Sequence, residues 1–140
     1  MSDNFTASQI LNDRYELKKV IGRGGFSIVW LAADAYNNNS PVAVKIFAPD
    51  KGLEEADIHL FEQEKQKSDR LKHPRLLKVL DYFVHGDSPC LVMVYMPNGS
   101  LEKKIKENPE GLPEEYIAKM LYQVADALEY LHKEGIAHLD

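Results

Sequence analysis

Three β-patterned runs stand within the first 47 residues, joined by connections too short to hold a crossover helix, and this constrains the fold more than any other feature. Tyr15-Glu16-Leu17-Lys18-Lys19-Val20-Ile21 alternates as a strand and stops at Gly22. Ser27 to Ala33 is a second β-branched, apolar run. The polar cluster Asn37-Asn38-Asn39-Ser40-Pro41 turns the chain, and Val42-Ala43-Val44-Lys45-Ile46-Phe47 follows as a third strand. That third strand is almost wholly apolar, as a strand covered on both faces is. Short turns of this kind predict an antiparallel meander.

Pro49-Asp50-Lys51-Gly52 breaks the pattern, and Glu54 to Leu71 has the composition of a charged helix. Leu76 to Val84 and Cys90 to Met96 read as two further strands around the turn-forming His85-Gly86-Asp87-Ser88-Pro89. Pro97-Asn98-Gly99 is the natural hinge. Beyond it the pattern predicts a short helix from Ser100 to about Asn108 and a long one from Pro113 to Glu134. The long helix places Ile117, Met120, Leu121, Val124, Leu128 and Leu131 on one stripe. Pro113 suits its first position, Glu114 and Glu115 its positive end, and Gly135 its stop. Met1 to Asp13 shows no periodicity. The expected organisation is therefore a leader at 1–13, a sheet-rich lobe at 14–96, and a hinge with helices at 97–140.

Composition excludes several classes of function. Residues 1–96 hold 12 basic and 13 acidic side chains and residues 97–140 hold 5 and 9, so neither part has the cationic excess that nucleic acid requires. No apolar run is long enough to span a membrane, and the polar Met1-Ser2-Asp3-Asn4 start lacks the features of a signal peptide. The cytoplasm is the expected compartment. One cysteine, Cys90, rules out an internal disulfide, and the five histidines lack metal-ligand spacing. Cys90 and Trp30 read as packing residues of their strands.

Three groups carry chemistry. Gly22-Arg23-Gly24-Gly25-Phe26-Ser27-Ile28-Val29 lies between two strands, where backbone without Cβ atoms can approach phosphate oxygens. A dinucleotide fingerprint would open a helix and a Walker loop would end in Gly-Lys-Ser/Thr, so neither fits. The plain alternative is a glycine hairpin turn. Lys45 shares a strand face with Ala43 and Phe47, and an ammonium on an apolar strand needs a partner unless it reaches water at an edge. Phe61, Glu64, Ser68 and Leu71 fall on one helical stripe, so Glu64 faces inward and supplies the charge that Lys45 lacks, with Glu62, whose direction is closer to the solvent side, as its rival.

With these residues in view, the chain resembles the start of a protein kinase catalytic domain. The glycine hairpin is similar to that family's Gly-rich loop, Val42-Ala43-Val44-Lys45 to its third-strand motif, and Glu64, 19 residues after Lys45, to its helix glutamate. Leu91-Val92-Met93-Val94-Tyr95-Met96-Pro97-Asn98-Gly99-Ser100-Leu101 resembles the last strand and hinge, and Gly135-Ile136-Ala137-His138-Leu139-Asp140 the start of the catalytic loop. The resemblance implies an α+β, kinase-like fold: a five-stranded antiparallel sheet plus one helix, then the first helices of a helical lobe. It implies an ATP- and Mg²⁺-dependent transfer of the γ-phosphoryl group to a protein hydroxyl, of Ser/Thr type. Catalytic roles then fall to Lys45, Glu64 and Asp140, with Asp140 the base. Nucleotide contacts fall to Ile21, Gly22, Gly24, Gly25, Phe26, Ser27, Val29, Ala43, Lys45, Met93, Val94, Met96 and Ser100. Val29 and Ala43 would sandwich the base, Met93 would guard the pocket, and backbone groups of Val94 and Met96 would bond adenine.

Several positions depart from the family pattern. Ser27 stands where a third glycine is usual, Val94 where an acidic residue is common, and Ser68 where a large apolar residue commonly packs the helix. Leu139 replaces the arginine that pairs with a phosphorylated activation loop in many members. The sequence ends at Asp140, before the asparagine and Asp-Phe-Gly aspartate that hold metal in the family. It thus reads as an incomplete fragment, expected to be inactive by itself. Two other readings are a pseudokinase that binds nucleotide or acts as a scaffold, and a small-molecule kinase of related fold.

Overall fold

The computed structural model describes residues 5–25, 27–47, 61, 63, 65, 66 and 68–137. They form two compact units: residues up to 70 together with 78–95, and residues 71–77 together with those from 96 onward.

The first unit is built on one antiparallel sheet of β1 (Ile10–Leu11), β2 (Tyr15–Arg23), β3 (Ser27–Asp34), β4 (Ser40–Phe47), β5 (Val79–His85) and β6 (Ser88–Val94), ordered β1-β2-β3-β4-β6-β5. The sequence pattern predicts five of these strands. The sixth, β1, is two residues long, too short to show a period. It pairs Ile10 with Glu16 and Leu11 with Tyr15 around Asn12 and Asp13, both at positive φ. Asparagine and aspartate are the side chains that tolerate this left-handed turn best. Leu11 is fully buried, so these residues belong to the sheet and its core rather than to a loose leader. The β5–β6 turn is a two-residue hairpin in which Gly86 takes φ +57, a conformation glycine adopts without strain.

Alternation along the strands sends Leu11, Tyr15, Leu17, Ile28, Trp30, Ala32, Val42, Val44, Ile46, Cys90 and Val92 into one core. Cross-strand register stacks them in layers, with Ile28 against Ile46, Trp30 against Val44 and Val44 against Val92. The sheet curls strongly. Tyr15 on β2 stacks on Phe83 of β5, rings 5.6 Å apart and 7° from parallel, although three strands separate them in the sheet order. The Tyr15 hydroxyl also donates to Asp81 at 2.7 Å. Residues before β1 join this closure through Phe5 against the His85 ring, 5.9 Å between centroids.

Cys90 lies in this core without solvent contact, and burial pushes its thiol up to about 12. Only thiolate is nucleophilic. Alkylation of Cys90 by iodoacetamide at pH 8 should therefore run more than about a thousandfold slower in the folded protein than in denaturant. Mass spectrometry of the Cys90 peptide checks this, and comparable rates would contradict the burial.

Among the described residues of the 54–71 segment, 61, 63, 65, 66 and 68–70 are helical, in agreement with the expected helix. In the second unit, α1 (Leu101–Lys106) starts at Ser100, whose hydroxyl accepts from the Lys103 amide. The second helix, α2, runs Glu114–Lys133. Pro113 is its cap residue, with extended ψ, rather than its first helical position, and Gly135 ends it at φ +75. Residues 71–77 are tied to α2. His73 Nε2 lies 3.2 Å from Asp126 Oδ2, its ring stacks on Tyr130, and the Lys72 amide donates to the Tyr130 hydroxyl. On the apolar stripe of α2, Leu131 and Ala127 are buried while Leu121 and Val124 are exposed. No described helix is long and apolar enough to cross a membrane.

Candidate active site

The face of β4 opposite the core carries Ala43, Lys45 and Phe47, because the side-chain period of a strand is two. Register then decides their neighbours. Ala43 is flanked by Leu31 and Met93, and Lys45 by Val29 and Leu91. Val29, Ala43 and Met93 thus share one apolar surface, with Ala43 and Met93 both buried. The half-buried Lys45 side chain starts two residues, about 7 Å, farther along the strand. An apolar floor beside one ammonium suits a flat base joined to an anion.

The glycine hairpin is at the same end of the sheet, since Ser27, at the start of β3, pairs with Phe47. The turn is closed by the Gly24 amide donating to the Ser27 carbonyl at 2.8 Å. None of Gly22, Gly24 and Gly25 has positive φ, so glycine is not required here for backbone conformation. What it supplies is the missing side chain. A Cβ on Gly24 would come within 3.2 Å of Ser27 Oγ, whereas one on Gly25 would enter open space. Bare backbone at the tip leaves room for phosphate oxygens, and the nucleotide that the resemblance implies fits this set of residues.

At the end of β6 the Val94 amide donates to the Lys78 carbonyl at 3.1 Å. The Val94 amide is therefore already engaged within the sheet. Ile21 is partly exposed near the end of β2. Met96 and Ser100 belong to the second unit, where Met96 is exposed and Ser100 caps α1. Phe26, Glu64 and Asp140 lie outside the described residues, as do His138 and Leu139. Ser68 is half-buried on the helix. Among the described residues no group of three or more His, Cys, Asp or Glu could hold a metal ion.

One partly buried polar cluster escaped the sequence pattern. Arg14 forks onto Asp34 through Nε at 2.7 Å and a terminal nitrogen at 2.8 Å, and its other arm reaches Asp81 at 3.6 Å. The guanidinium lies over the rings of Tyr15 and Tyr36, 4.9 and 5.2 Å from their centroids. The Arg14 hydrogen bonds hold the Asp34 carboxyl below the usual carboxylate range, against burial that opposes ionisation. Asp34 also accepts from the Tyr36 amide, capping the 3-10 turn that leads to β4. A signal for this region was present: Asn12-Asp13 between Leu11 and Tyr15 is turn chemistry flanked by apolar residues.

The chain is similar to known proteins. The family model "Protein kinase domain" matches residues 15–140. The chain is 36% identical over 132 residues to a Clostridium perfringens protein named "Probable serine/threonine-protein kinase", covering 94% of this chain and 19% of that protein. It is 30% identical over 130 residues to Aurora/IPL1-related protein kinase 2 of Caenorhabditis elegans, covering 93% of this chain and 42% of that one. The chain thus spans less than half the length of these relatives. A solved structure titled "PpkA-294 apo form" superposes with a TM-score of 0.84 at 25% identity, over 99% of this chain and 55% of that one. Together, the curled sheet, the glycine hairpin beside the Phe47 end of β4 and a family match over residues 15–140 place this chain in the protein kinase domain family.

Proposed function

We propose that residues 14–96 form the ATP-binding lobe of a cytoplasmic serine/threonine protein kinase, and that residues 97–140 begin its substrate-binding lobe. The observation that carries this reading is the register of β4. Lys45 shares a face with the Val29, Ala43 and Met93 surface and lies at the hairpin end of the sheet. The base would rest on that apolar surface, the Val94 carbonyl would accept from it, and the Gly24–Ser27 turn would cover the phosphates. Lys45 would neutralise phosphate charge, with Glu64 as its carboxylate partner. Asp140 would accept the proton of the protein hydroxyl as the γ-phosphoryl group transfers. Mg²⁺, which shields phosphate charge in such reactions, would be held by the nucleotide and by residues other than those described.

Binding of ATP is tested directly by thermal unfolding of the protein that carries this domain, titrated with ATP and Mg²⁺. A ligand specific for the folded state adds about 2.7 kcal/mol at a hundred times its Kd, so the midpoint should climb steadily with ATP. A midpoint that stays flat across the titration would sink the reading.

A further inference from the structure

The Lys45 ammonium lies 4.6 Å from the centroid of the Phe47 ring, within cation–π range. That ring is itself held. Phe61 packs edge-on against it at 5.8 Å and 67°, and Tyr82 packs against Phe61 at 5.9 Å and 75°. Three rings from β4, the helix and β5 therefore form a connected column, and this packing restrains the Phe47 ring. Lys45 and Phe47 are two residues apart on one strand face, so the contact needs no distortion of β4.

The ammonium turns one side to the ring, so a phosphate that gathers it among several oxygens competes with the ring for it. We propose that Phe47 is a positioning residue: its ring seats the Lys45 ammonium in the nucleotide-free protein and releases it when the phosphates arrive. This rests on the reading of Lys45 as the phosphate-neutralising lysine. The seat keeps a half-buried cation partnered before the anion comes. It also weakens ATP binding, because the binding-competent state is the fraction in which the lysine has left the ring. The strength of the ring–ammonium contact thereby tunes nucleotide affinity.

Calorimetric titration with ATP and Mg²⁺ tests this in the protein that carries the domain. Phe47→Leu and Phe47→Met remove the ring while keeping an apolar contact for Phe61, so either suffices if the other fails to fold. They should tighten ATP binding by about three- to tenfold, the range expected for losing a partly desolvated cation–π contact. Phe47→Trp offers the ring type that holds a cation best and should weaken binding. A merely structural role predicts the same direction for all three, because each disturbs the column. In a Lys45→Met background the Phe47 substitutions should leave the Kd unchanged. If that background binds too weakly to titrate, the opposed signs decide. Same-direction shifts, unaltered affinity, or shifts that persist without the lysine would overturn the seat. Absence of ATP binding by the parent protein would instead overturn the nucleotide reading on which it rests.

Discussion

Lys45→Met is expected to lower ATP-dependent phosphate transfer at least about a hundredfold in the protein that carries this domain, the scale of removing one preorganised charge from a developing anion. The side chain starts beside the Val29, Ala43 and Met93 surface at the hairpin end of the sheet. No other Lys or Arg shares the outer face of β4. Methionine keeps the length and apolar stem of lysine, so packing against Phe47 survives while the charge is lost. The thermal midpoint without nucleotide should therefore move little. Transfer of labelled phosphate from ATP to a generic protein substrate, compared with the melting curve of the same sample, separates chemistry from folding. A variant that folds and retains near-parental transfer would remove Lys45 from the site.

The second large effect concerns stability. Asp34→Ala should destabilise the fold by about 3 kcal/mol, the low end of what breaking a buried ion pair costs, because Arg14 keeps 30% of its side chain in solvent and can rehydrate. The loss includes the Asp34 cap on the Tyr36 amide. The sign of the pH dependence follows from the direction of the shift. The folded carboxyl ionises below its unfolded value, so its contribution is complete above the ordinary carboxylate range near pH 4. It fades as pH falls through the lower, folded value. Parent and Asp34→Ala should thus differ most near neutral pH and converge in strong acid. Denaturant unfolding followed through Trp30, the one tryptophan of the chain and a member of the same core, reads this directly. A stability gap that stays constant from neutral pH into strong acid would show that the pair does not carry the effect.

Legibility in the sequence followed the range of the interaction. Strand β2 was plain because a half-buried strand writes its period of two into consecutive residues, β3 and β4 because they are short apolar runs, and the turns between them are too short for anything but antiparallel pairing. The long helix was plain for the same reason at its own period, although the pattern misjudged Pro113, whose fixed φ suits a cap as well as a first turn. The hairpin, Lys45 and the Ala43–Met93 surface were legible through strand alternation and family resemblance. The role of glycine in the hairpin was only half legible. Its value there is the absent Cβ, which composition cannot tell from a need for positive φ.

By itself, then, the sequence determined the order of the elements and the faces of the strands, and it singled out the residues proposed to bear chemistry, since each follows from neighbours a few positions apart. Tertiary structure alone decided the rest. Two-residue β1 exists because β2 offers an edge and the core a place for Leu11. Tyr15 meets Phe83 and Asp81 because the sheet curls, and Arg14 finds Asp34 because β3 ends beside the start of β2. Residues 71–77 join the helical unit through His73 and Tyr130, contacts that no local pattern encodes. The ring column that seats Lys45 brings together residues 47, 61 and 82. Apart from the β1 pairing, each of these contacts spans a chain separation at which the local period carries no information, so only the folded backbone specifies it.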